Sequence, residues 1–302
     1  MAGRGAAHLA VSAPHLPPGL LSVHALPSDH HDGPWDHILV PLGTKERLLN
    51  QALLTLRHGR ALSTLAGLPH GLIVLAGPPG TGKTTLSRGL AQAAARALAS
   101  HGATTYVEID PHAFPSEMLG ESQRNISRLM TDTLPELAAR RPHTVVLIDD
   151  VESFAVRRSS ASFGSNPVDV HRATDAVLAG IDSLAVSYPR TLFVTTTNFP
   201  DAVDEAFLSR ADLVLNLDLP DETTIAAILR HALTEIAGIW PGTLPLAHDE
   251  ALHRKLAARS AGWDGRRVRK LVLAALAQRR EVALDPNLLA EQDLLGAVEL
   301  AA

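Results

Sequence analysis

The stretch "GLIVLAGPPGTGKTT" (residues 71–85) decides the fold. Its first part, 71–77, is a continuous apolar run that is too short for a helix and ends in glycine, as is typical of a buried parallel strand. Its second part, 77–85, has the spacing G-x-x-x-x-G-K-[ST], in which backbone N–H groups turn towards phosphates at a helix N-terminus. The sequence therefore predicts a strand, a phosphate cradle and a helix in succession. The predicted cradle consists of Gly77, Pro78, Pro79, Gly80, Thr81, Gly82, Lys83, Thr84 and Thr85.

Four more apolar runs follow this strand at intervals that leave room for helices between them. They are 104–110, 144–150, 191–198 and 212–219. Strands that alternate with helical stretches indicate a parallel sheet with helices on both faces. After Pro220 the pattern is purely helical, with Pro and Gly residues between the helical stretches. We therefore expect an α/β fold, a parallel P-loop sheet sandwiched by helices and followed by a small all-helical domain.

Composition divides the chain into three predicted segments. Residues 1–34 are rich in Pro, His, Gly and Ala without helical or strand periodicity, which predicts a flexible N-terminal arm. The α/β nucleotide-binding domain is expected over 35–219 and the helical domain over 220–302. His30 and His31 carry metal-binding side chains, but in a Pro-rich arm we expect them to be solvated.

Bulk properties exclude several function classes. The 302 residues are 46% hydrophobic and 20% charged, which describes an ordinary soluble globular protein. A formal net charge of −5 argues against sequence-independent binding to nucleic acid. The absence of cysteine excludes disulfides and thiolate metal sites. Since no apolar run approaches the ~18 residues of a membrane span, we expect no membrane partner and a cytoplasmic location.

Two side chains of the cradle carry chemistry beyond its backbone. Lys83 is expected to reach the β- and γ-phosphates of a nucleotide, and the Thr84 hydroxyl is expected to ligate Mg²⁺. Asp149 ends a buried strand beside the cradle, in "LIDDVES" (147–153), and is the second predicted Mg²⁺ ligand. The predicted cofactors are therefore ATP and Mg²⁺.

Two further polar residues stand where a catalyst of ATP hydrolysis is needed. Asp150 follows Asp149 directly, where a carboxylate can activate water. Asn198 ends the fourth apolar run and can hydrogen-bond the γ-phosphate or the attacking water. Taken alone, an Asn before a proline turn is more typical of a cap or turn residue. The cradle and the acidic strand favour the catalytic interpretation.

These motifs resemble those of AAA+ ATPases, and longer stretches resemble the pachytene-checkpoint branch. That branch remodels HORMA-domain proteins and has bacterial members in CBASS antiphage operons. The resemblance covers about 35–300. The stretches that carry it are "LIDDVES" (147–153), "NPVDVHRATDAVLAGID" (166–182), "TTTNFPDAVDEAFLSRADL" (195–213) and "DGRRVRKL" (264–271).

The resemblance implies roles that the residues alone do not. Arg210 matches an arginine finger supplied to the ATP of a neighbouring subunit, and Arg266 matches a second-sensor arginine on a helical lid. Met118 and Leu119 occupy the pore loop that grips substrate, and 157–167 matches a second pore loop. Without the resemblance, both arginines are typical of solvated helix charges, and the segment around Met118 of an amphipathic helix start.

The function implied is an ATP-hydrolysing homo-hexamer that pulls a HORMA-domain client into its pore and acts as a negative regulator of CBASS signalling. Residues 35–40, "WDHILV", would form part of the adenine pocket. The chain departs from the family because Asp150 replaces the expected glutamate and because the pore aromatic is missing. Asp150 motivates a first alternative, a nucleotide-gated ring scaffold with negligible hydrolysis. A second alternative is a DNA-directed AAA+ loader, which the acidic charge balance disfavours.

Overall fold

A six-stranded sheet is the centre of the larger part of the protein. The computed structural model describes residues 16–31, 34–65, 69–110, 121–153 and 167–301. Within these ranges the strands are β1 (Leu20–Leu26), β2 (Leu72–Ala76), β3 (Thr104–Ile109), β4 (His143–Ile148), β5 (Thr191–Thr197) and β6 (Leu213–Asn216). Their spatial order is β1-β3-β4-β5-β2-β6. The last five are parallel to one another, which confirms the predicted parallel sheet.

Helices cover the sheet and then form the C-terminal part of the chain. Those preceding β6 are α1 (Pro34–His37), α2 (Thr44–Leu62), α3 (Lys83–Ala97), α4 (Glu121–Arg128), α5 (Leu134–Ala139), α6 (Pro167–Ser187) and α7 (Glu205–Leu208). A π-helical segment, Leu129–Thr133, joins α4 to α5. Those following β6 are α8 (Glu222–Ile239), α9 (Leu244–His248), α10 (Glu250–Arg259), α11 (Gly265–Leu276), α12 (Arg280–Leu284) and α13 (Glu291–Ala301).

The sheet separates two apolar cores. Successive side chains of a strand point to opposite faces, so Leu72 and Val74 of β2 pack with α4, α5 and α6. Ile73 and Leu75 of the same strand pack with α2 and α3. All five β2 side chains are buried, which explains why this run is apolar throughout and not alternating. The predicted arrangement of helices on both faces is confirmed.

The C-terminal helices have a core of their own. Fully buried side chains from four helices meet there: Leu229 of α8, Leu256 of α10, Val272 of α11 and Leu294 of α13. We refer to residues 220–301 as the lid. Its boundary with the α/β part at residue 219 remains an interpretation.

The expectation that residues 1–34 form a flexible arm is wrong for β1. This strand pairs antiparallel with β3, from Leu26 opposite Thr104 to Leu20 opposite Ile109. The N–H of Asp110 extends the contact by donating to the carbonyl oxygen of Gly19 over 3.0 Å. As an edge strand, β1 buries only its end residues, so its sequence lacks the alternation of apolar and polar residues that would predict a strand. Its stabilising partner lies about eighty residues further along the chain.

Some predicted features lie outside the described ranges. The predicted first pore loop, with Met118 and Leu119, falls in 111–120, and most of the predicted second loop falls in 154–166. Among the helices that are described, none is both long enough and apolar enough to cross a bilayer.

Candidate nucleotide-binding site

The phosphate cradle lies where the sequence predicts it, between the carboxyl end of β2 and the first turn of α3. Gly82 precedes α3 with a φ of +91°, a backbone conformation that residues with a side chain rarely adopt. Gly80 has a φ of +80°, and a Cβ atom there would lie 2.1 Å from Oδ1 of Asp264 in the lid. The glycines therefore allow the loop to turn and to lie directly against the residue that precedes α11.

Lys83 points back into the cradle. Its Nζ donates hydrogen bonds to the carbonyl oxygens of Gly77 (2.7 Å) and Pro78 (2.8 Å), and the residue is buried. Burial lowers the pKa of Lys83, while Asp150, Glu152 and Asp149 act in the opposite direction. The carbonyl oxygens and carboxylates hold this buried ammonium beside the position that phosphate oxygens would occupy.

Thr84 and Asp149 form a pair of oxygen ligands suited to Mg²⁺. The Thr84 Oγ1 donates to Oδ1 of Asp149 over 2.8 Å and lies 3.0 Å from Oδ2. Neighbouring ligands of an octahedral Mg²⁺ with metal–oxygen bonds near 2.1 Å are about 3 Å apart. The two side chains therefore fit the predicted metal without rearrangement of the strand or helix that carries them.

Thr196 is a site residue that the sequence reasoning missed. Its Oγ1 donates to Oδ1 of Asp149 over 2.5 Å and accepts the N–H of Asp150 over 2.9 Å. The residue is fully buried in β5, two positions before Asn198. Alternation along a strand puts residues 196 and 198 on the same side, and this spacing was the available signal. One hydroxyl thus positions both aspartates at the end of β4.

Asp150 is held in an uncommon conformation beside Asn198. Its φ is +52°, and no other non-glycine residue in the described ranges has a positive φ. The Asn198 Nδ2 donates to Oδ1 of Asp150 over 2.8 Å. Burial raises the pKa of Asp150, and the charges of Asp149 and Glu152 raise it further, against the opposing effects of Lys83 and Asn198. A carboxyl group with a raised pKa in a cleft has the character of a general base.

Glu152 is drawn into the same cluster, although the sequence reasoning gave it no role. Its Oε1 accepts the backbone N–H of Asn198 over 2.9 Å. Its Oε2 is buried and has no hydrogen-bond partner in the structure. Glu152 therefore fixes the backbone from which the Asn198 side chain reaches Asp150.

A cavity of about 640 Å³ opens between the cradle and the lid. Its lining joins the two parts of the protein: Ile38, Leu39, Val40, Gly80, Thr81, Gly82 and Thr85 from the α/β part, and Ile228, His231, Gly265, Arg266 and Arg269 from the lid. Four of the six residues in 35–40 line it, where the resemblance places the adenine pocket. Arg266 is exposed at the start of α11, and its positive charge contributes to the lowered pKa of Lys83. The cavity has the volume and mixed lining typical of a small-ligand site.

Of the predicted catalytic residues, Arg266 lines this cavity, and Asp150 and Asn198 lie in the hydrogen-bonded cluster at the ends of β4 and β5. Arg210 lies at neither place. Its guanidinium instead forms a bidentate pair with Asp182 of α6, with Nε–Oδ1 and Nη2–Oδ2 distances of 2.9 and 3.0 Å. The Nε2 of His70 lies 3.4 Å from the same carboxylate.

The position of Arg210 follows from the sheet. Asp212, two residues later, accepts the N–H groups of His70 (3.1 Å) and Gly71 (2.8 Å), which lie at the amino end of β2. The cradle follows the carboxyl end of the same strand, and five strand residues extend about 17 Å. Arg210 therefore lies on the opposite edge of the sheet from the cradle of its own chain.

Comparison with known proteins agrees with this geometry. Residues 73–219 match the family described as ATPase family associated with various cellular activities (AAA). Over 288 residues the chain is 41% identical to CD-NTase-associated protein 6 of Pseudomonas aeruginosa, and the match covers 95% of this chain and 93% of that protein. The chain is an AAA ATPase of the CD-NTase-associated protein 6 family. Membership in an AAA ATPase family implies that the chain binds a nucleotide.

This family is related to pachytene checkpoint protein 2. The chain is 34% identical over 220 residues to the homologue from Oryza sativa subsp. indica, a match that covers 70% of this chain but 45% of that protein. The solved structure of C. elegans PCH-2 aligns with a TM-score of 0.75 and 25% identity over 92% of this chain and 75% of that one. The chain thus spans about half the length of this pachytene-checkpoint relative.

A second solved structure supports the fold. A chain in the structure of the E. coli MS115-1 HORMA:CdnC:Trip13 complex aligns with a TM-score of 0.77 and 20% identity, over 95% of this chain and 97% of that chain.

Proposed function

We propose that the chain hydrolyses ATP in the cavity between the cradle and the lid. The backbone of 77–82 and Lys83 would hold the phosphates, and 37–40 would contact the base. When bound by Thr84 and Asp149, Mg²⁺ would offset negative charge on the phosphate oxygens. Arg266 would approach the γ-phosphate as the lid closes, because it is the first arginine of the helix whose N-cap, Asp264, lies against Gly80.

Asp150 is the proposed general base for the attacking water. Transfer of a water proton to its carboxylate accompanies attack of the water oxygen on the γ-phosphorus and departure of ADP. Asn198 orients Oδ1, which leaves Oδ2 to accept the proton. Asp150 has a shorter side chain than glutamate. The left-handed backbone conformation at Asp150 would compensate for the shorter reach of its carboxylate.

Arg210 is proposed to act on the ATP of a neighbouring subunit in a homo-hexamer. Its place on the edge opposite the cradle supports a role in trans, since the guanidinium cannot reach the site of its own chain. A guanidinium beside the γ-phosphate would stabilise charge that develops in the transition state. Asp182 would hold the side chain extended until the neighbouring nucleotide competes for it.

The proposed client is a HORMA-domain protein, and the proposed role is negative regulation of CBASS antiphage signalling. The similarity to CD-NTase-associated protein 6 over nearly the whole chain supports an association with a CD-NTase system. The shared fold with a chain of a HORMA:CdnC:Trip13 complex supports the choice of client. Met118 and Leu119, outside the described ranges, remain the proposed gripping residues.

One observation carries the ATPase proposal: the hydrogen-bonded chain from Thr84 through Asp149, Thr196 and Asp150 to Asn198. The Thr84–Asp149 bond joins the cradle to the end of β4, and the other bonds continue from there to the end of β5. A structural ion cluster would not require five polar side chains to converge beside the phosphate cradle.

The test uses purified full-length protein, ATP and Mg²⁺ with a preformed complex of a HORMA-domain protein and its bound peptide. We expect ATP-dependent loss of the complex in size-exclusion chromatography. Replacing both Met118 and Leu119 by Ala should abolish dissociation while phosphate release continues, because the role proposed for these residues is to grip the client and not the nucleotide. A complex that survives excess ATP and enzyme with measured hydrolysis would rule out the remodeler.

The second candidate is a nucleotide-gated scaffold with negligible hydrolysis. The observation that favours it is the hydrogen bond that already engages Oδ1 of the short Asp150 side chain. Steady-state phosphate release separates the two functions, because a scaffold binds ATP and assembles without releasing phosphate above the level of Lys83→Ala.

A further inference from the structure

A second cavity, of about 610 Å³, lies at the edge of the sheet opposite the nucleotide site. It is formed where β4 and β5 begin, together with the ends of α2, α5 and α6. Thr144 and Thr191 contribute from the two strands, and Tyr188 and Pro189 from the turn before β5. This volume is within the range of about 300–1,000 Å³ found for small-ligand sites.

Four arginines line this cavity, and none of its other lining residues is acidic. They are Arg60, Arg140, Arg141 and Arg190. Four positive charges in one cavity contrast with the formal net charge of −5 of the whole chain. In the described part of the chain, no ion pair joins any of the four to a carboxylate. Two of the four, Arg60 and Arg140, are exposed, and the positive charge of the four favours an anionic ligand over a neutral one.

Two polar atoms at the cavity have no partner within the protein. The Nε of Arg190 and the Oγ1 of Thr191 are both buried and make no hydrogen bond. Buried donors normally find a partner, and these two exceptions belong to adjacent residues that both line the cavity. Arg141 is only partly satisfied, through a 3.4 Å contact from Nη1 to the Thr105 Oγ1.

The backbone that carries Arg190 is rigid. A Cβ atom at Gly59 of α2 would lie 1.6 Å from the carbonyl oxygen of Pro189, so this helix packs directly against the turn. The Arg190 carbonyl accepts the Thr144 N–H over 3.1 Å, and the Thr191 N–H donates to the carbonyl of Tyr188 over 3.0 Å. The cavity is therefore formed before any ligand arrives, which lowers the entropic cost of binding.

A buried histidine, His143, lies beside the cavity. His143 begins β4 between Pro142 and Thr144, which both line the cavity, and its two ring nitrogens are buried without partners. Burial, with smaller contributions from Arg190, His101 and Arg57, lowers the pKa of His143 to about 4. Of the charged groups that lower this pKa, Arg190 is the one that also lines the cavity.

We propose that this arginine-lined cavity binds a small organic anion that carries at least two phosphate groups. Guanidinium groups match phosphate oxygens in bidentate geometry, which favours phosphate over a single carboxylate. Ala138, Ala139, Pro142, Pro189 and the ring of Tyr188 supply apolar lining for the organic part of the molecule. The cavity and the cradle lie on opposite edges of the sheet and share no lining residue, so a ligand at one would not contact the other.

The test measures pyrophosphate binding by isothermal titration calorimetry, without Mg²⁺, to full-length Lys83→Ala protein, in which the cradle has lost its cation. We expect a dissociation constant below about 1 mM, weakened about tenfold or more by Arg190→Gln or Arg140→Gln. Arg254→Gln removes the same charge from an exposed lid position and should leave binding unchanged. If Arg190→Gln unfolds, the exposed Arg140→Gln variant decides the question.

A second measurement locates the ligand. Pyrophosphate should shift the ring signals of His143 in an NMR titration, and these shifts should disappear in Arg140→Gln. Absence of binding, equal weakening by Arg254→Gln, or binding without a response at His143 would overturn the proposal. Displacement of pyrophosphate by a tighter-binding glutamate-rich peptide would overturn it in favour of an acidic protein partner. None of these outcomes depends on ATP hydrolysis or on a HORMA client.

Discussion

The Asn198 side chain donates a hydrogen bond from Nδ2 to Oδ1 of Asp150, and the two atoms lie 2.8 Å apart. This bond joins the ends of two neighbouring strands, β4 and β5, at the edge of the sheet that carries the phosphate cradle. It leaves one carboxylate oxygen of Asp150 for a water molecule.

Replacing Asp150 by Asn should lower the rate of ATP hydrolysis by about 10²- to 10⁴-fold, the usual contribution of a positioned general base. Nucleotide affinity should change little, because Lys83 and the cradle backbone are untouched. Asn also tolerates the positive φ at this position, so the variant should fold. Asp150→Glu is the matched control and should hydrolyse ATP at least as fast as the parent. Parental phosphate release by Asp150→Asn would exclude Asp150 as the base.

The pH dependence of hydrolysis should report the raised pKa of Asp150. Only the carboxylate form accepts a proton, so activity should fall with acidification at a pH above the ordinary aspartate value of 3.8. The Glu152 charge contributes to the raised pKa, so Glu152→Gln should move this acid limb to lower pH. The measurement is kcat against pH for both proteins.

Stability provides an independent check with a defined sign. Since burial raises the folded-state pKa of Asp150, the folded state binds the proton more tightly than the unfolded state. The resulting penalty is fully present above the folded-state pKa and disappears as pH falls towards 3.8. Asp150→Asn should therefore gain stability over the parent at neutral pH, and this gain should shrink on acidification. A gain that grows on acidification would contradict the assigned direction.

Thr196→Val should remove the hydrogen bonds that position Asp149 while it preserves the packing of this side chain. Without its hydroxyl, Asp149 and the backbone of Asp150 lose a shared partner, and effects of about 10- to 100-fold are usual for such supporting residues. The loss should appear as a higher Mg²⁺ requirement for hydrolysis. Thr195→Val is the matched control, since the Thr195 Oγ1 contacts only the carbonyl oxygen of Ile73, at 3.3 Å. Equal Mg²⁺ titrations for both variants would remove Thr196 from the site.

Mixed assemblies test the trans role of Arg210. Neither Arg210→Ala nor Lys83→Ala protein should hydrolyse ATP well alone, since one lacks the finger and the other the cradle cation. Subunits mixed in equal amounts should recover part of the activity, because some interfaces pair an intact cradle with an intact Arg210. Native mass spectrometry establishes that the assemblies are mixed. Absence of recovery in such assemblies would exclude the trans role.

Two glycines should respond in opposite directions to alanine. Gly59→Ala places a methyl group against the backbone of Pro189 and should destabilise the protein by about 3 kcal/mol. At Gly238 of α8 no atom lies within 4 Å of the added Cβ, so Gly238→Ala should stabilise by about 0.5 kcal/mol. Chemical denaturation measures both. Similar stabilities for the two variants would contradict the close approach of α2 to this turn.

The parts of the fold that were predictable are those encoded locally. The five parallel strands are buried on both faces, so each appears as an apolar run, and the cradle spacing is specified within nine residues. The strand Leu20–Leu26 was missed because an edge strand is defined by its partner, Thr104–Ile109, and not by its own pattern. Local sequence does not report pairing across such a distance.

The same distinction applies to the candidate site. Asp149, Asp150 and Asn198 were identified because polar residues at strand ends interrupt apolar runs. Thr196 escaped because a buried threonine in a strand resembles a packing residue until its acceptor is known. The contact of Glu152 is with a backbone N–H group, which a side-chain pattern does not reveal.

The pairing of β1 with β3 has a mechanical consequence. The ladder between the two strands continues to Asp110, whose N–H is bonded to the carbonyl oxygen of Gly19. A force applied at Asp110 along the axis of β3 would act across the hydrogen bonds that join β3 to β1 and to β4. The two ladders are then loaded in shear, so their bonds resist together and do not open one at a time. The N-terminal strand thus acts as a brace that prevents β3 from being drawn out of the sheet.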